Sequence, residues 1–452
     1  MSKSSNRSRT AIDDSSAFTD AIMSGWDVRE RPLPQARAAS SFAAARRAAF
    51  GRHFAGKRIV IEAGELKTRS NDTSYPFRAS TEFSYLTGWG ADAEPGAILV
   101  FNPSADGHEC VLYFRQAAGR DTIEFYANSE IGEFWVGPRP TLEQVSADLA
   151  LATDDLSNFT PTPGELYRAD DEVAQLLSEM RLVKDEYEVS QMREAVLATR
   201  GGFEKILDAL PGAIGQARGE RLVEGAFNGH ARLAGNTVGY ETIAASAEHS
   251  CVLHWTKNDG SFSDGDLILV DAGIELDSLY TADITRTLPV SGEFSETQRQ
   301  VYQAVLDAAD AAHAIVRPGI KFHEVHAAAM QVISARIREW GLIPAGTSEQ
   351  AGFHRRFMVH GTSHHLGMDV HDCAQARRDM YMDGVLKPGM VFTIEPGLYF
   401  QPDDLTVPAE FRGIGVRIED DVLVTENGSI NLSASIPRTA ADVEAWVQQH
   451  RR

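Results

Sequence analysis

The sequence predicts a two-domain protein of the α/β (α+β) class. Three observations carry this expectation. Helix-forming and strand-forming stretches alternate through about the first 180 of the 452 residues. A long, charged amphipathic helix then opens a second region, where a further helix pair is interleaved with apolar strands. The hydrophobic fraction of 43% over 452 residues supplies more core than one domain of ordinary size uses.

The elements follow in order. Residues 1–35 begin "MSKSSNRSRTAIDDSS" and read as a mobile tail, with no apolar core of the kind a secretory leader needs. "SSFAAARRAAFGRHFAG" (40–56) is Ala-rich at helical spacing, and "RIVIEAG" (58–64) is an apolar strand closing on Gly. "GAILVFNP" (96–103) and "ECVLYFR" (109–115) read as strands joined by a turn at Ser104-Ala105-Asp106-Gly107. The domain of residues 36–177 holds no Gly-rich loop of the phosphate-cradling kind. "MRLVKDEYEVSQMREAVLATRGGFEKILDAL" (180–210) reads as one helix. Met192, Ala195 and Val196 give its apolar face, and Pro211-Gly212 stops it. The second domain is expected over residues 178–452. Ser295-x-x-Gln298 forms a capping box for a helix ending at Arg317-Pro318-Gly319, and residues 322–341 form its partner.

Charge and composition exclude several functions. The net charge of −21 is the wrong sign for binding a phosphate backbone, and no long basic run offsets it. No apolar run is long enough to span a membrane. Cys110, Cys251 and Cys373 are far apart and form no metal-type pair, which fits a reducing, cytoplasmic setting.

The chemistry is concentrated in the second half. Four apolar strand-like runs, "GDLILVDAG" (265–273), "SLYTADITRTLPV" (278–290), "GMVFTIEPGLYF" (389–400) and "GIGVRIEDDVLVT" (413–425), carry Asp271, Asp283, Glu395 and Glu419. A carboxylate among β-formers is costly to desolvate unless it is paired or metal-bound. A strand period of two puts Arg417 and Glu419 on one face, and Val391, Thr393 and Glu395 on another. Between these runs lies "HGTSHHLGMDVHD" (360–372), with four histidines in thirteen residues. Converging carboxylates repel one another, and a divalent cation relieves that repulsion. Carboxylate-rich ligation with one imidazole suits Mn2+, with Zn2+, Co2+ or Fe2+ as alternatives. His254, in "SCVLHWT", is either a satisfied half-buried ring or a functional one.

The successive segments "VLHWT", "DLILVDAG", "YTADITRT", "HGTSHHLGMDVHD", "FTIEPGLYF" and "GVRIEDDVLVT" resemble, in order and spacing, the motifs of the pita-bread metallopeptidases. The N-terminal stretch "TRSNDTSYPFRASTEFSYLTGW" (68–89) resembles aminopeptidase P, the Xaa-Pro aminopeptidases. The resemblance implies a creatinase-like mixed α/β domain followed by a pita-bread domain with a curved antiparallel sheet. It implies two divalent ions held by Asp271, Asp283, His364, Glu395 and Glu419, with Asp283 and Glu419 bridging. A hydroxide between the ions would attack the carbonyl before proline. Glu395 would shuttle the proton, His254 and His371 would bond substrate or intermediate, and His360 and Arg417 would orient the site. It also implies proline-containing peptides as substrates and a dimer or tetramer as the assembly.

Three departures stand out. His365 replaces a bulky aromatic, Trp255 replaces a Tyr, and "ASAEHS" has Ala and His where Gly and Asn are common. Two other readings compete: a dipeptidase confined to Xaa-Pro (prolidase), and a non-catalytic pita-bread binding protein.

Overall fold

The structure, a computed structural model, describes residues 15–27, 30–71, 73–344, 346–348 and 351–451. It divides into two compact units, one reaching Trp89 and resuming over Ala93–Arg168, the other Gly90–Asp92 with Ala169–Arg452. The helix Asp171–Met180 belongs with the second unit, although the sequence reading drew its boundary near residue 178. Contacts explain the placement: Ser178 Oγ accepts from the Gln375 amide at 3.1 Å, and Arg377 Nε donates to Glu179 at 2.8 Å.

In the first unit a five-stranded sheet runs in the order Ala152–Asp155, Gly107–Phe114, Ile98–Ser104, Ile59–Glu62, Leu166–Tyr167. Its three central strands pair antiparallel and the outer two parallel, which makes the unit a mixed α/β domain. The expected turn is a two-residue hairpin loop: Ser104 pairs with Gly107 across Ala105-Asp106. The helix Ala39–His53 buries Phe50 edge-on against Phe101. Of the expected mobile tail, residues 1–14, 28 and 29 lie outside the described residues. Within the described part, Ser16–Ile22 form a helix capped by Ser15, with Phe18 edge-on to Tyr126 at 5.8 Å. An aromatic anchor holds a segment that composition alone marks as polar.

The second unit packs the helices Glu186–Ala213, Gly219–Ala234, Glu296–Ile315, Phe322–Glu339 and Ala440–His450 around antiparallel strand pairs, over one continuous apolar core. The first of these helices starts at 186, not 180. Asp185 caps it reciprocally with Glu188, at 2.9 and 3.0 Å. It also runs through Pro211 to Ala213 where the sequence predicts a stop at Pro211-Gly212; the lost N–H and the crowding of the ring against the preceding turn fall in the helix's last turn, where few bonds follow. Ser295 and Gln298 form the expected capping box.

The acid-bearing runs are shorter strands than the sequence suggests: Leu267–Ala272, Ile284–Pro289, Val391–Ile394, Gly397–Tyr399, Gly415–Arg417 and Asp420–Thr425. The breaks have a common cause. Pro396 has no N–H to give. The Glu395 amide bonds Thr362 O at 2.8 Å, and the Glu419 amide bonds Thr285 O at 3.1 Å, so both acids turn their backbones toward third segments. The register survives the break. Ile394 pairs with Asp420 and Gly397 with Arg417, which sets Glu395 opposite Glu419. The strand Leu267–Ala272 pairs Asp271 with Thr285, and Asp283 precedes that partner strand on the same face as Thr285. Gly273 makes this approach possible, because a Cβ there would lie 1.8 Å from Ala282 O. Among the described residues no helix is long and apolar enough to cross a membrane.

Candidate metal centre

Asp271, Asp283, His364, Glu395 and Glu419 all line one cavity of about 610 Å3, together with His254, His360, His371 and Arg417. Asp283, His364 and Glu419 are the tightest group, each offering a ligand atom within 4.8 Å of the others. His364 Nε2 lies 3.2 Å from Asp283 Oδ2 and 3.7 Å from Glu395 Oε1. Its Nδ1 faces its neighbour's carbonyl, His365 O, at 3.2 Å, so a proton kept there leaves Nε2 turned toward the acids.

Asp271 is held differently. Arg417 Nη2 donates to its Oδ2 at 2.5 Å, and Tyr240 donates to its Oδ1 at 2.7 Å. Tyr240 also lies 2.5 Å from Asp283 Oδ1. One phenolic proton thus serves two carboxylates. Thr285 Oγ1 donates to Glu419 at 2.7 Å, and Asp421 accepts from the Asp283 amide at 3.2 Å.

The electrostatics follow from burial. Desolvation first, and then repulsion from Asp283 and its neighbours, push Glu419 well above the usual carboxylate range. The same two causes raise Glu395 to about 7 against the pull of His364 and Arg417, and Asp271 is raised as well. His364 moves the other way for a buried imidazole. Burial lowers it, but Asp283 and Glu395 carry it up to about 9, so without a cation the acids draw a proton into their midst. Three buried carboxylates and the half-buried Glu395 beside one imidazole, short of positive charge, fit a divalent cation site.

His360 is a neutral ring. Burial, then Arg417, lower it to about 4. Its Nδ1 donates to Gly361 O at 2.7 Å, and its Nε2 accepts from Tyr399 OH at 2.8 Å. That hydroxyl in turn accepts from Arg417 Nη1 at 3.0 Å. His371 stands edge-on to His364 at 4.5 Å. His365 faces away from the cavity, fully buried and stacked on Phe322 at 4.7 Å.

Sequence reasoning missed Tyr240, Thr285, Tyr399 and Asp421. Two were legible: a period of two from Asp283 reaches Thr285, and Tyr399 lies two residues beyond Gly397 in a segment already singled out. Nothing in "VGYET" marks Tyr240, which lies in the bend between the strands Thr237–Val238 and Ile243–Ser246.

Comparison with known proteins places this geometry. Residues 190–426 match the profile of metallopeptidase family M24, and residues 43–171 match the aminopeptidase P N-terminal domain. The chain is 46% identical to Xaa-Pro aminopeptidase 1 of Streptomyces coelicolor, covering 96% of this chain and 92% of that one. It is 32% identical to the Xaa-Pro aminopeptidase of Escherichia coli, over 88% and 95% of the two chains. Among solved structures, Pseudomonas aeruginosa aminopeptidase PepP superposes with a TM-score of 0.79 at 30% identity, covering 91% of this chain and 98% of its own. Zinc-substituted Escherichia coli aminopeptidase P in complex with product gives 0.79 at 30%, covering 93% and 100%. The fold and the acid-rich centre define a metallopeptidase, an enzyme whose centre takes divalent metal. The chain belongs to metallopeptidase family M24, as an aminopeptidase P of the pita-bread superfamily.

Proposed function

We propose that the chain is an Xaa-Pro aminopeptidase, releasing the N-terminal residue from peptides with proline in second place. The observation that carries this reading is the convergence of five ligand-competent side chains, three further histidines and Arg417 on one 610 Å3 cavity. Asp271, Asp283, His364, Glu395 and Glu419 would hold two ions, most simply Mn2+. When bound, two cations offset the carboxylate charge, lower the pKa of water and polarise a carbonyl.

The chain's own groups do the rest. Glu395 Oε2, 3.6 Å from His360 Nδ1, sits where it takes a proton from the attacking water and returns it to the leaving proline nitrogen. His254 and His371 present ring N–H groups to the carbonyl oxygen as charge develops on it. The relay Arg417–Tyr399–His360 fixes the His360 tautomer, and Arg417 positions Asp271. A homo-oligomer, dimer or tetramer, belongs to the same proposal and is read by light scattering on the eluted protein; a cytoplasmic setting is read by cell fractionation.

The test is hydrolysis of an Xaa-Pro-Xaa tripeptide beside the matching Xaa-Pro dipeptide, with Mn2+ and with chelator. Release of the first residue from the tripeptide, abolished by chelation, is the expected result. Cleavage of the dipeptide alone makes the chain a prolidase. No cleavage of either, with metal bound, overturns the reading.

A further inference from the structure

His254 reaches the catalytic cavity from a stretch with little regular structure. Residues Ala247–Cys251 form a short 3-10 turn, and no strand or helix covers 252–264. Leu253, His254 and Thr256 line the cavity, while Trp255 does not. A loop that carries a group meant to meet substrate must be fixed from behind, and the structure shows by what.

Glu220, in the first turn of the helix Gly219–Ala234, is fully buried. Its carboxylate accepts five hydrogen bonds, two from Ser246 at the strand end that enters the loop and three from the loop itself. Oε1 takes the Ser246 amide at 2.8 Å, the Ser246 hydroxyl at 2.7 Å and His249 Nδ1 at 2.8 Å. Oε2 takes Trp255 Nε1 at 2.9 Å and the Gly260 amide at 2.7 Å. One carboxylate therefore grips both ends and the middle of residues 246–260. The rings of His249 and Trp255 stack at 3.9 Å, and both bond the same acid. Space is tight as well as polar. A Cβ on Gly260 would lie 2.7 Å from the His249 ring and 2.8 Å from Glu220 Cδ. Asn258 adds a second staple, accepting from the Ala244 amide at 3.0 Å and donating to Thr242 O at 2.8 Å.

The chain turns at this point, the Thr256 amide bonding His254 O at 3.0 Å, so that His254 and Thr256 line the cavity while Trp255 between them points back to Glu220. Pinning Trp255 onto Glu220 fixes this turn and with it the placement of His254. We propose that Glu220, with His249 and Trp255, forms a clamp whose task is to position His254 for the reaction. The clamp acts through His254 and touches no reacting atom. The inference rests on the peptidase reading given above.

The experiment is a double-mutant cycle on tripeptide cleavage with Mn2+. Trp255→Phe keeps an aromatic ring but removes the N–H donor together with the pyrrole half of the indole, and it is made both in the wild-type chain and in His254→Ala. Loss of an outer-shell partner of a working group costs about 10-fold. Trp255→Phe is expected to lower kcat/KM by about 10-fold in the wild-type chain and by under about 2-fold when His254 is already absent. Equal losses in both backgrounds, or no loss in the first, overturn the proposal, because a merely structural residue subtracts the same from either chain. Glu220→Gln sets an amide donor against the loop's donors. Its hydrogen exchange should rise within residues 246–260 and stay unchanged elsewhere in the second unit. Should that variant fail to fold, the Trp255→Phe cycle decides alone. Wild-type cleavage separates the two levels: without it the peptidase reading falls and this inference with it, whereas cleavage with additive losses refutes the clamp only.

Discussion

Asp372 should be among the most costly positions in the chain to neutralise, although it lies outside the proposed ligand set. Its side chain is 1% exposed, and it is the shared partner of Arg181 (4%) and Lys184 (0%). Arg181 Nε donates to Oδ1 at 2.9 Å and Lys184 Nζ to Oδ2 at 3.1 Å. Burial alone would raise this carboxyl, but the two cations hold it well below the usual range. Asp372→Asn keeps the shape and removes the charge, leaving both cations in a dry site against a neutral amide. Breaking a buried pair from one side costs about 3–5 kcal/mol. Two cations share this acid, so the upper part of that range is expected, a large fraction of the ~5–15 kcal/mol that holds a protein folded. The assay is urea unfolding at pH 7.5, read as a midpoint shift at unchanged slope. The pH dependence gives a second check. Because the folded pKa is depressed, the stabilisation is complete above the unfolded carboxylate pKa of about 4 and is lost as pH falls toward the folded value. The gap between wild type and variant should hold from pH 8 to about 5 and narrow below about 4. A loss under about 1 kcal/mol, or a gap unchanged at pH 3, refutes the reasoning. Adding Lys184→Met to Asp372→Asn should recover part of the loss, since one unpaired cation goes with it.

Other consequences are equally direct. Tyr240→Phe withdraws the single proton shared by Asp271 and Asp283 and should weaken Mn2+ affinity by about 10-fold, measured by calorimetry. An unchanged affinity would mean the phenol only fills space. In metal-free protein the raised folded pKa values of Glu395 and Glu419 mean that stability falls as pH climbs from about 4.3, through about 7 for Glu395. Saturating Mn2+ should flatten that slope, and a slope indifferent to metal would place the ions elsewhere. His365, buried with Nδ1 unpartnered among the described residues, is held at about 3, so the folded state loses stability as pH drops below about 6.5. His365→Phe should therefore gain relative to wild type at pH 5 over pH 7.5. An equal difference at both values would show that the ring's charge does not matter.

Much of this was legible before any coordinates. The capping box at Ser295, the hairpin at Ser104–Gly107 and the helix pair after residue 295 are local. They depend on residues within a few positions of one another, where turn chemistry and periodicity operate. Local rules misjudged the ends of things. The long helix starts at Glu186, where Asp185 caps it and Glu188 reciprocates, and it passes Pro211. The segment Ser16–Ile22 is ordered by a tyrosine more than a hundred residues away.

The sequence by itself determined the chemical inventory of the centre. Carboxylates placed within apolar runs, and histidines crowded into thirteen residues, are improbable unless something offsets their desolvation. That is a property of composition in context. Only the tertiary structure decided how those groups divide the work. Arg417, expected to share a face with Glu419, reaches across to Asp271. Asp283 gathers with His364 and Glu419, and Tyr240 joins the two aspartates with one proton. These partnerships are set by strand register and by backbone amides diverted at Glu395 and Glu419, which bring together residues far apart in the chain. Hydrogen bonds and Coulomb forces act over a few ångströms of space, and sequence order does not measure that distance.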